Sequence, residues 1–347
     1  MARALVYSSD AEPGYRRRRT RGTFQYLTSS GRVLRNAREL KRIRSLAIPP
    51  AYEHVWVCVN AYGHLQATGR DARGRKQYRY HARWKAERDA SKYNRMVAFA
   101  AQLPHLRARV RSDLRAHGMP RHKVVAAVVR LLETSLIRIG NEEYARSNGS
   151  FGLTTLNNRH VQVSGQRLRF RFRGKSRKFH DILLDDARLA RIVRRCQELP
   201  GQALFQFEGE DGAIESVSSG DVNAYIRDCT SADFSAKDFR TWAGTLLAAE
   251  ALLIGGAAES EAHAKSRVAS AIASVAERLG NTATVCRASY VHPAVIEAFL
   301  AGTLKLPDAG HSAAKRGLSR NERAMVRLLR AHERKQTRPA TARTRGA

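Results

Sequence analysis

The chain has 347 residues, 62 Lys and Arg against 31 Asp and Glu, a formal net charge of +31, and 43% hydrophobic residues. That length fits about two domains. The positive charge is dense from Arg16 to Arg343, which rules out a merely basic tail and calls for a polyanion, with nucleic acid the default partner. Cys58, Cys196, Cys229 and Cys286 show no CxxC spacing, so neither a zinc site nor a disulfide framework is expected.

In chain order, residues 1–20 are expected to form a flexible basic arm carrying "YRRRRTRG". Residues 21–85 read as a small β-rich domain. "FQYLTSSGRVL" has strand-forming residues on both sides of a Ser-Gly turn, and "ARELKRIRSLAIPP" is a short basic helix stopped by Pro49 and Pro50. "HVWVCVNAYGHLQATGRD" predicts two strands around a turn near Gly63, and "GRKQYRYH" a further short strand. Residues 86–92 are expected to link this unit to a mainly helical domain over 93–310. There, "KVVAAVVRLLETSLIRIG" puts Val124, Val128, Leu131, Leu132 and Leu136 at helical spacing, with a break near Gly140. "RLRFRFRG" alternates Leu168, Phe170 and Phe172 with arginines, the period of a half-buried strand. Residues 311–347 are expected to hold a basic helix and a disordered tail. The fold class is therefore α+β: a small β-rich N-terminal domain and a larger, mainly helical one with a small antiparallel sheet.

Neither a P-loop nor HExxH, GxSxG or an Asp/Glu metal cluster appears, so no ATP, metal or other cofactor is expected. The distinctive residues are basic side chains and a tyrosine near turns and helix ends. Arg138 precedes Gly140; Lys175 follows Gly174 at a hairpin tip. Arg240, in "KDFRTW", lies early in a helix that starts near Ala236 after Ser235, where the backbone N–H groups and dipole favour an anion. Phe239 and Trp242 anchor that helix. In "ERLGNTATVCRASYVHP", Gly280 stops one helix, Asn281 follows in the turn, Thr282 caps the helix leading to Tyr290, and His292-Pro293 opens another. Each residue alone is ordinary. Together they supply two arginines and an amide for phosphate oxygens, a lysine to protonate a leaving alkoxide, and a phenol to attack phosphorus. Phosphoryl transfer needs just charge neutralisation, positioning and proton transfer.

In that order the motifs resemble the type IB DNA topoisomerases, in particular the small poxvirus-like enzymes found in bacteria. "LAIPPAYEHVWV", "QATGRDARGRKQYRYH", "RIGNEEYARSNGSFGLTTLNNRHV", "RGKSRKFH", "KDFRTWAGT" and "SYVHP" carry the resemblance, over about residues 15–305. It implies that Tyr290 is the nucleophile of a 3′-phosphotyrosyl intermediate, that Arg138 and Arg240 hold the scissile phosphate, and that Lys175 is the general acid, with Arg138 assisting. Asn281 falls where poxvirus and eukaryotic members carry histidine, which fits a hydrogen-bond donor and not a proton shuttle. Arg70, Arg75, Gln77, Tyr78 and Tyr80 match a DNA-contacting segment. The implied partner is duplex DNA, preferably supercoiled, handled by a monomer in the cytoplasm on the nucleoid, with no ATP or divalent cation required. Two rivals remain at this stage. A tyrosine recombinase shares the Arg-Lys-Arg-Tyr logic, but usually has His-x-x-Arg where this chain has Lys237, and it lacks the β-rich start. A non-catalytic architectural DNA-binding protein explains the charge and not the ordered motifs.

Overall fold

A computed structural model of the chain describes residues 4–20, 23–72, 74, 76–209, 211–254, 256, 258–307 and 317–337. The chain divides into two compact units, residues 1–93 and 94–347.

The first unit is a five-stranded antiparallel sheet in the order β2-β1-β3-β4-β5. Its strands are β1 (Gly14–Thr20), β2 (Thr23–Leu27), β3 (Glu53–Cys58), β4 (Leu65–Arg70) and β5 (Lys76–Tyr80), with helix α1 (Ala37–Ser45) between β2 and β3. Asn36 caps α1 by accepting from the Glu39 amide. Tyr15, Ile43, Val55, Val57 and Ala67 form the main core, and Trp56, Cys58 and Leu65 a second cluster. The central strand β3 is therefore buried on both faces. The expectation of a flexible arm over 1–20 is corrected here: the arginine run is β1, paired with both β2 and β3. Ser8 and Glu12 ahead of it are tied down as well, because the Trp56 indole donates to the Glu12 carbonyl at 2.9 Å and the Leu65 amide to Ser8 Oγ at 3.2 Å; residues 1–3 of the expected arm lie outside the described residues. Arg17 donates to the Pro49 carbonyl at 3.0 Å, so one cation of that run is a brace for the Pro-Pro loop. The strand expected after the Ser-Gly turn reduces to a single bridge between Leu27 and Val33.

Residues 86–92, expected as a linker, lie within helix α2 (Ala82–Asp113). The second unit continues with α3 (Arg121–Ser135), α4 (Glu142–Asn148), the strands β6 (Val161–Ser164), β7 (Arg167–Arg173) and β8 (Phe179–Asp185), and α5 (Ala187–Glu198). A two-stranded ribbon follows, β9 (Gln206–Glu208) and β10 (Ile214–Ser216), then α6 (Ser219–Thr230), α7 (Ala236–Leu253), α8 (Glu261–Arg278), α9 (Ala283–Ser289), α10 (Pro293–Leu300) and α11 (Arg320–Thr337). Helix α3 is apolar almost all round, as a central helix must be. It is packed by α5, α6 and α7 and by strands β8 and β9. Strand β7 buries Leu168, Phe170 and Phe172 and exposes its arginines, as its alternation predicts. A buried ion pair, Arg107–Glu322 at 2.6 Å, joins α2 to α11, and the Trp242 indole donates to the same carboxylate at 3.2 Å. Among the described residues no helix is long and apolar enough to cross a membrane. All four cysteines are free, and burial pushes the Cys196 thiol up to about 12.

Candidate active site

Arg138 does not sit on α3. The helix ends three residues earlier, because Leu136 adopts a left-handed conformation with φ +57° and turns the chain away. Leu136, counted above in the helical period, is thus the helix cap. The extended segment that follows is clamped to the loop ahead of β6. The Leu153 amide donates to the Arg138 carbonyl at 2.9 Å and the Thr154 amide to the Ile139 carbonyl at 2.7 Å. A Cβ on Gly152 would lie 2.5 Å from that Arg138 carbonyl, so only glycine permits the approach.

Arg240 lies in the second turn of α7. Ser235 and Asp238 form the N-terminal capping box, with the Ser235 amide donating to the Asp238 carboxylate at 2.8 Å. Phe239 and Trp242 are buried and set the rotation of the helix. That rotation turns Arg240 inward, where it is 4% exposed. Its guanidinium donates to the Leu279 carbonyl at 2.7 Å and to the Leu136 carbonyl. Both acceptors are orphan carbonyls at helix ends, of α8 and α3. The arginine therefore ties three helix termini together.

Asn281 is placed by a Schellman motif at the end of α8. Gly280, φ +61°, donates to the Glu277 carbonyl at 2.9 Å, and the Asn281 amide reaches the Ala276 carbonyl at 2.8 Å. The Asn281 side-chain oxygen accepts from Arg138, which also donates to the Gly280 carbonyl at 3.1 Å. Thr282 caps α9, and Tyr290 closes it as the C-terminal cap. The Arg240 guanidinium carbon lies 5.2 Å from the centre of the Tyr290 ring. Two residues that sequence reasoning passed over hold this segment. A Cβ on Gly244 would lie 2.7 Å from the Tyr290 carbonyl, so α7 can approach only with glycine there. The Thr245 hydroxyl donates to the Tyr290 carbonyl at 3.2 Å and accepts from the His292 amide at 3.1 Å. The available signal was the "AGT" of "RTWAGT", a glycine inside a strong helical pattern.

Four of the five candidate residues thus converge: Arg138, Arg240, Asn281 and Tyr290. Lys175 is exposed at the β7–β8 tip and, among the described residues, makes no hydrogen bond or ion pair with them. The same hairpin reaches the site through other residues. Lys178 donates to the Asn281 carbonyl at 2.7 Å, and the His180 ring abuts Gly280. Neither was singled out from the sequence.

The electrostatics point to an anion. Burial, then Arg240, holds the Arg138 pKa down to about 10, with Tyr290 opposing. Burial also lowers that of Arg240, against the pull of Tyr290 and Cys286. Both groups remain cations at neutral pH. Arg240 Nε and Asn281 Nδ2 are buried and have no acceptor among the described residues. Each such orphan donor costs about 1–3 kcal/mol, more when charged. A phosphate oxygen would satisfy them and relieve the repulsion between the two arginines.

In the first unit, Arg70 donates to the Gly74 carbonyl at 2.7 Å and Gln77 to Asp71 at 3.0 Å. Tyr78 and Tyr80, both 48% exposed, stack with centroids 6.2 Å apart on the edge strand β5. Arg75 lies outside the described residues.

Two buried donors without an acceptor among the described residues, beside a tyrosine ring, make a candidate site for an anion. Residues 81–308 match the family model described as "Eukaryotic DNA topoisomerase I, catalytic core", and residues 23–71 that described as "Bacterial DNA topoisomerase IB, N-terminal domain". The chain is 30% identical over 269 residues to DNA topoisomerase 1B of Acanthamoeba polyphaga mimivirus, covering 76% of this chain and 80% of that protein. It is 27% identical over 134 residues to DNA topoisomerase 1B of Vaccinia virus (strain Copenhagen), covering 38% of this chain and 42% of that one. The chain belongs to the type IB DNA topoisomerases, enzymes whose substrate is DNA. Membership of that family sets aside both the recombinase and the purely architectural reading.

Proposed function

We propose that this enzyme relaxes supercoiled duplex DNA without ATP, by cutting one strand through a 3′-phosphotyrosyl intermediate on Tyr290, letting the downstream duplex rotate, and resealing. The observation that carries this reading is the pair of buried, acceptor-less donors, Arg240 Nε and Asn281 Nδ2, beside Tyr290. In the cleavage step the Tyr290 oxygen gives up its proton to solvent and bonds to phosphorus. The bond from phosphorus to the 5′ oxygen breaks, and that oxygen takes a proton from the Lys175 ammonium. Arg138, Arg240 and Asn281 hold the non-bridging oxygens, where negative charge grows in the transition state. Religation is the reverse, with the 5′ hydroxyl attacking the phosphotyrosine. The linkage keeps the energy of the broken diester, so neither ATP nor a divalent cation is called for. Lys175 takes its role from the family resemblance, and the hairpin reaches the proton acceptor once DNA lies in the site.

All five residues come from one chain, which suits a monomer. A net charge of +31 suits a phosphate backbone and a place on the nucleoid in the cytoplasm. Purified protein is expected to relax positively and negatively supercoiled plasmid in EDTA without nucleotide. Activity should fall steeply as salt rises, because each phosphate contact releases counterions. A strict requirement for ATP or Mg²⁺ would overturn this reading.

A further inference from the structure

We propose that His180 is a further substrate-contacting residue of this site, donating a ring N–H to a non-bridging oxygen of the scissile phosphodiester from the side of the β7–β8 hairpin. The proposal rests on the reading of the site as a phosphodiester-cleaving centre.

Placement comes first. His180 is paired across the sheet with Phe172, and the two rings stack with centroids 5.0 Å apart and planes 15° apart. That stacking fixes the imidazole plane. The ring edge fills the gap between the hairpin and the turn after α8. A Cβ on Gly174 would lie 2.6 Å from His180 Nε2, and a Cβ on Gly280 would lie 2.7 Å from Cε1. Each glycine immediately precedes a residue of the site, Lys175 and Asn281. Gly280 needs glycine for its positive φ in any case. Gly174 does not: its φ is −93°, open to any residue. The close approach of the imidazole is what explains the missing side chain there.

Hydrogen bonding sets His180 apart from the other inward-facing histidines. His64 Nδ1 accepts from the Ser8 amide at 3.0 Å, His160 Nδ1 from the Asn157 amide at 3.0 Å, and His292 Nδ1 from the Ala294 amide at 3.1 Å. Among the described residues neither ring nitrogen of His180 has a hydrogen-bond partner, although the residue is half-buried. A histidine kept for packing alone would be satisfied locally, as those three are. The charged groups that face it, Arg138, Arg240 and Lys178, are all cations. Burial first, then these cations, holds its pKa below the usual imidazole range, so it enters the reaction neutral, with one N–H to give. The missing acceptor is anionic, and an oxygen held by Arg138 and Asn281 lies within the same ring of side chains.

The test uses the full-length protein and single-turnover cleavage of a duplex oligonucleotide. His180→Ala should cleave roughly 10- to 100-fold more slowly, the cost of one lost donor to a developing oxyanion, with DNA affinity unchanged. His180→Gln, which restores an N–H without a titratable group, should recover most of that rate. A strand with sulfur in place of the leaving 5′ oxygen needs no proton on departure, and the His180→Ala defect should persist on it. The proposal is overturned if Ala and wild type cleave equally, if Ala and Gln are equally slow, or if the defect vanishes on the sulfur strand, since His180 would then act only through the Lys175 hairpin. If wild-type protein forms no covalent adduct with any duplex, the reading of the site falls first and this proposal goes with it.

Discussion

Replacing Tyr290 by Phe is expected to lower plasmid relaxation by about 10⁴-fold or more, the scale seen when a nucleophile is removed. The loss should be chemical. Two backbone bonds hold Tyr290 whatever its side chain: its amide donates to the Cys286 carbonyl at 2.9 Å and its carbonyl accepts from Thr245. A phenylalanine keeps those bonds and keeps an aromatic face against Arg240. DNA binding and thermal denaturation should therefore match wild type while relaxation, followed on agarose gels over time, disappears. A Tyr290→Phe protein that relaxes at even a tenth of the wild-type rate removes Tyr290 from the chemistry.

Arg240→Ala is expected to slow cleavage by about 10²–10³-fold, the cost of one preorganised donor aimed at developing charge. Its effect on stability should be smaller than its burial implies, because two terms oppose each other. The Leu136 and Leu279 carbonyls lose their partner, a penalty of about 1–3 kcal/mol each. The substitution also removes a cation that burial disfavours and that repels Arg138. The net loss should fall below the sum of those two penalties, because no buried partner charge is left unpaired. Single-turnover cleavage and denaturant unfolding measure the two separately. A variant that folds poorly but cleaves normally would make Arg240 a structural brace alone.

Local signals read well where one element settles its own geometry. Ser235, Phe239 and Trp242 placed the start and the facing of α7, Gly280 placed the stop of α8, and the arginine–aromatic alternation placed β7. The Arg138 region misled for a physical reason. Leu136 and Ile137 are apolar and continue the helical period, but they are buried after the helix has ended, in a left-handed turn that apolarity does not signal. The arginine run at 16–19 likewise reads as a solvated arm, because its pairing with β3 depends on residues some forty positions away. The same holds for Gly244, Thr245 and His180. Their meaning lies in what they touch across the fold, and no spacing within the chain encodes it. The roles proposed for the candidate residues come from their side-chain chemistry taken together and from the family resemblance; composition and periodicity located the elements but assigned no roles.

The central claim is tested most directly by trapping the enzyme on DNA. Wild-type protein mixed with a cleavable duplex and quenched in detergent should give a covalent adduct whose phosphate is attached to the 3′ end of the cut strand, with a free 5′ hydroxyl on the other fragment. Peptide mapping should put that phosphate on Tyr290. An adduct through the 5′ end, an adduct on any other residue, or cleavage with no adduct at all would contradict the account.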